Sequence, residues 1–117
     1  MGSFKLIIDE SNRDVAYSIV QENLANKQDI KVELMNGQAQ SLNFFLKIKD
    51  TVTIKVSYDE FGIDCIVESV CKIVERFKQK GINVKIKKND DVIELKNVSE
   101  EMAMGVTIKA VEEMFRK

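Results

Sequence analysis

The sequence predicts an α+β domain, a mainly antiparallel sheet covered on one face by three helices, in the order β-α-β-β-β-α-β-β-α. Three observations lead there. Several short runs alternate apolar side chains with lysines, which is the period of a half-buried strand. Other segments repeat their apolar residues at steps of three and four, which is the period of an amphipathic helix. Tight-turn residues, Asn36-Gly37 and Asn89-Asp90-Asp91, separate the alternating runs. With 117 residues the chain has material for one core and not for two, so residues 1–117 are expected to form a single domain.

Phe4, Leu6, Ile7 and Ile8 predict a mostly buried first strand. Ser11 and Asp14 have capping-box spacing, and Val15, Ala16, Ile19, Val20 and Leu24 then form one stripe of a helix that ends near Asn26. Ile30, Val32 and Leu34 alternate with Lys31 and Glu33 up to the Asn-Gly pair. Leu42, Phe44, Leu46 and Ile48 alternate in turn, and Val52, Ile54, Val56 and Tyr58 continue the pattern after Asp50-Thr51, predicting a hairpin. For residues 41–49 a short helix capped by Ser41 and built on Leu42, Phe45 and Leu46 is the alternative.

The strongest helical signal runs from about Glu60 to Lys80, with Asp59 as N-cap and Gly81 at the closing left-handed position. Ile63, Ile66, Val67, Val70, Ile73, Val74 and Phe77 cover about 160° of its circumference, so it must pack on something broad. On its polar side lie Cys65, Ser69, Lys72 and Arg76. Ile82, Val84 and Ile86, the Asn-Asp-Asp turn, then Ile93 and Leu95 predict a second hairpin. Ser99 caps a last helix whose apolar residues, among them Ala103, Met104, Val106, Ile108, Val111, Met114 and Phe115, occupy more than half of its surface. In its strand, long helix, hairpin and helix order, the stretch from Thr53 to Phe115 resembles the small effector-associated modules of bacterial conflict systems, and no residue role is carried over from that resemblance.

Composition narrows the chemistry. There is no histidine, which excludes Ser-His and Cys-His nucleophile pairs, an imidazole base and His-ligated metal sites. The five glycines are scattered, so neither a dinucleotide fingerprint nor a phosphate-cradling loop is present. Cys65 and Cys71 sit six helical steps apart, about 9 Å, beyond the reach of a disulfide. A helix start and nearby cations would favour a reactive Cys65 thiolate, yet a thiol without a base or resolving partner is ordinarily inert. The acidic pairs Asp90-Asp91 and Glu100-Glu101 are explained as turn and helix-start residues. No catalytic residue, cofactor or metal site is expected.

Charge is balanced in sum, with 18 basic and 19 acidic residues, but not in space. Strand phasing puts Lys5, Lys31, Lys47, Lys49, Lys55, Lys85, Lys87 and Lys96 on the open sheet face against Glu33 and Glu94, a net +6 there and −7 elsewhere. Two functions follow from these features. The first is a non-enzymatic protein-interaction module, a regulator, inhibitor or adaptor that docks on another protein or on itself through Met102, Met104, Ile108, Val111 and Phe115 of the last helix. The second is nucleic-acid or anionic-partner binding by Lys31, Phe45, Lys47, Lys49, Lys55, Lys85 and Lys87, with Phe45 stacking a base. Apolar runs are too short for a membrane span and the N-terminal residues do not form a secretory leader, so a cytoplasmic protein is expected.

Overall fold

A computed structural model of the chain describes residues 2–24, 30–35, 51–59, 62–95 and 109–116. Five strands form one antiparallel sheet: β1 (Gly2–Asp9), β2 (Ile30–Met35), β3 (Thr51–Tyr58), β4 (Val84–Lys88) and β5 (Asp91–Leu95). The helices are α1 (Arg13–Leu24), α2 (Ile63–Gln79) and the helical residues 109–116, here α3. The fold is α+β, and these elements follow one another in the predicted order.

Spatially the strands run β2-β3-β1-β4-β5, so the first strand of the chain is the middle of the sheet. Alternation sends Phe4, Leu6 and Ile8 of β1, Val52, Ile54, Val56 and Tyr58 of β3, and Val84 and Ile86 of β4 to one face, where all are buried. Buried residues of all three helices join them in a single core: Ala16, Ile19, Val20 and Leu24 of α1, Ile66, Val70, Ile73 and Phe77 of α2, Val111, Met114 and Phe115 of α3. Each large apolar side chain withdrawn from water here contributes about 1.5–3 kcal/mol, which is why the helices settle on that face; no described helix lies on the other.

The middle helix shows its closing signal most clearly. Gly81 takes φ 70°, and the amides of Gly81 and Ile82 donate to the carbonyls of Lys78 and Phe77 at 3.0 and 2.8 Å. That is a Schellman closure, with Ile82 buried beside Phe77 as its apolar contact. The helix therefore ends at Gln79, and Ile82 leads on to β4, which begins at Val84. Arg76 reaches Glu22 of α1 at 2.6 Å and Arg116 of α3 reaches Asp64 at 2.6 Å, so α2 lies between the other two helices. Ser69, expected on the polar side, is buried: it lies two turns before Arg76, on the side that faces α1.

Other local expectations shift. Ser11 does not cap α1; a 3-10 turn, Glu10–Asn12, leads into it, and Val15 is exposed because the buried stripe starts at Ala16. The second hairpin forms with Lys88 opposite Asp91, and Asn89 adopts φ 55°, a left-handed conformation that asparagine tolerates. Residues 42–49, expected to pair with the strand at 52–58, lie outside the described residues, while both edges of β3 are occupied, by β1 and β2. Alternation alone was compatible with either partner. Gly2 lies opposite Tyr58, and a Cβ there would meet the tyrosine ring at 2.5 Å, so only glycine fits without moving the ring. No helix among the described residues is long and apolar enough to cross a membrane.

Candidate functional site

The sheet face opposite the helices is where the sequence and the fold together concentrate charge. The register aligns Glu33, Lys55, Lys5, Lys87 and Val92 in one row across all five strands. The neighbouring row reads Met35, Thr53, Ile7, Lys85 and Glu94. Lys31, Ser57 and Ser3 begin a third. Side chains directly opposite one another on adjacent strands stand about 4.5–5.5 Å apart at Cβ.

Three of the five described lysines on this face have a carboxylate at hand, Lys55 standing directly opposite Glu33. Lys31 Nζ lies 2.8 Å from the Glu33 carboxylate. The hydrogen bond and the charge of Lys31 hold the Glu33 carboxyl below its ordinary range, and the same contact raises the Lys31 ammonium. Lys85 stands opposite Glu94 in the hairpin register. Lys5 differs: its directly opposite neighbours are Lys55 on one side and Lys87 on the other. Like charges placed directly opposite destabilise a sheet pair, by roughly 0.2–1 kcal/mol on the scale of cross-strand pairs. Three ammonium groups in one row are therefore a local cost that an anionic partner would relieve.

Lys31, Lys55, Lys85 and Lys87, predicted as parts of one face, do share it, together with Lys5. Lys47, Lys49, Lys96 and Phe45 lie outside the described residues. Asp9, opposite Thr51, joins the same face by continuing the phase of Lys5 and Ile7. Sequence reasoning missed it by assigning the residues after Ile8 to a helix start. The described part of the face therefore carries five lysines against Asp9, Glu33 and Glu94, a net +2, where the same strands were expected to give five against two, a net +3.

The predicted protein-docking residues are distributed otherwise. Val111 and Phe115 are buried, and Phe115 meets the Phe4 ring edge-on at 5.0 Å and the Tyr58 ring at 6.1 Å. Lys88 Nζ lies 5.7 Å from the centre of the Phe115 ring. Their surface is used inside the chain. Met102, Met104 and Ile108 lie outside the described residues. The width of the apolar stripe on the last helix carried no mark of whether its cover was this chain or another.

Both cysteines carry thiols in α2, Cys65 exposed and Cys71 half-buried. Burial, and then the nearby charge of Glu112, push the Cys71 thiol up, away from thiolate chemistry. A cleft of about 190 Å³ opens among Ile8, Asp9, Asn83, Lys85 and Glu94. That is smaller than the roughly 300–1,000 Å³ of small-molecule sites. Comparison with protein-family models and with curated proteins found no match, so the functional reading rests on these residues alone.

Proposed function

We propose that the chain is a non-enzymatic protein-interaction module, a regulator or adaptor, whose contact surface is the open face of the sheet and whose partner presents carboxylates to it. The row Lys55, Lys5 and Lys87 carries this reading. Apolar and hydroxyl side chains flank the lysines: Ile7, Thr53 and the exposed Met35 and Val92. That mixture suits a protein surface, where charge orients the approach and apolar contacts supply area. Sheet-based nucleic-acid binders instead stack bases on aromatic rings, and among the described residues of this face there is none.

The test titrates the chain and its Lys5→Glu/Lys87→Glu variant with an acidic polypeptide and with single-stranded RNA of equal charge. Binding of the polypeptide that the variant loses supports the reading. Preference for RNA, with an affinity that falls steeply as salt rises, would establish nucleic-acid binding instead. Equal binding by chain and variant would remove the lysine row from the argument.

A further inference from the structure

We infer that the edge strand β2 pairs with the β2 of a second copy, antiparallel and centred on Val32, joining two sheets into one. Among the described residues only β3 pairs with β2, and the opposite edge of β2 carries no described strand. Edge strands are ordinarily guarded by proline, a bulge or an inward-pointing charge. β2 has none of these; the further guard it does carry, an edge lysine, is Lys31, and Glu33 two residues on offsets its charge, the strand reading Ile30, Lys31, Val32, Glu33, Leu34, Met35 with the charges on the open face. Ile30, Val32 and Leu34 pack against the core but are only partly covered.

The strand is its own complement. An antiparallel pair with Val32 opposite Val32 puts Lys31 of each copy opposite Glu33 of the other, and Ile30 opposite Leu34. The inner apolar row would then continue across the join while two opposite-charge pairs lock the register on the open side. Centring on Lys31 or on Glu33 sets a like charge against itself. The other edge, β5, offers Asp91 and Glu94 and no basic residue, so it has no register in which its charges match. Of the two edge strands among the described residues only β2 has this symmetry, and the occupant it fits is a second copy of the chain. The two lysine faces would lie on the same side of the joined sheet.

Charge exchange tests this. Light scattering over a concentration series should show the mass rising from 13.4 kDa towards twice that value. Lys31→Glu alone and Glu33→Lys alone should each weaken association by on the order of tenfold, because both cross-copy pairs become repulsive. The side chains are 74% and 42% exposed, so neither change disturbs the core. Mixing the two single variants should restore association as a heterodimer, and the double variant K31E/E33K should restore it within one chain. A mass fixed at one chain at every concentration overturns the inference, as does association indifferent to the single changes or not recovered on mixing.

Discussion

Replacing Phe115 by alanine asks whether α3 is part of the core or a surface held ready for a partner. The side chain is 1% exposed and edge-on to Phe4 at 5.0 Å, with Tyr58 at 6.1 Å. Truncating a buried phenylalanine costs about 3–5 kcal/mol, in lost transfer energy and in the cavity left behind. Of that, the aromatic contacts account for about 0.5–1.5 kcal/mol each, and the Lys88 ammonium near the ring adds about 0.5–1 kcal/mol at most. Against a typical total of 5–15 kcal/mol the change is severe, and the melting temperature should fall by about 10–20 °C. Urea unfolding followed by circular dichroism, with the slope of the transition unchanged, measures it. A loss below about 1 kcal/mol would show that Phe115 is not enclosed as described, and would return α3 to the candidates for a docking surface.

Three further outcomes are expected. Gly81→Ala, at φ 70°, should lower stability by about 1 kcal/mol in a thermal melt, since alanine takes that conformation only with strain. An alkylating reagent at neutral pH should label Cys65 well before Cys71, which is half-buried with its thiol pushed up; peptide mapping of a time course decides the order. The pair Lys31 and Glu33 should add a small stability that is full in the neutral range. It is lost as pH falls through the lowered Glu33 value or rises through the raised Lys31 value. Lys31→Met should flatten the pH profile at both ends, only slightly because both groups are exposed.

Much of the architecture was legible because period two and period three-to-four are imposed by backbone geometry before any tertiary contact forms. Phe4, Leu6 and Ile8, or Ile66, Val70, Ile73 and Phe77, declare their buried side in this way, and Gly81 declares the end of its helix. Periodicity tells which way a side chain points and not what it meets. The placing of β1 between β3 and β4 was therefore out of reach, and with it the alignment of Lys55, Lys5 and Lys87 in one row. Val111 and Phe115 show the same limit: their apolar stripe fits equally a partner's surface and the Phe4–Tyr58 wall of this chain. Ser69 was misjudged because one polar residue between two packed helices has no local signature.

The central position of β1 bears on how the chain reaches its native state. Its two neighbours come from residues 51–58 and 84–88, so the strand that appears first during synthesis waits for most of the described chain before it is flanked on both sides. Loops of that length must close before the pairing gains anything, which predicts slow folding with a late, cooperative step. Until β4 arrives, an apolar strand with an open edge stands unprotected, and that interval is when nascent chains of this protein would be most prone to stick to one another.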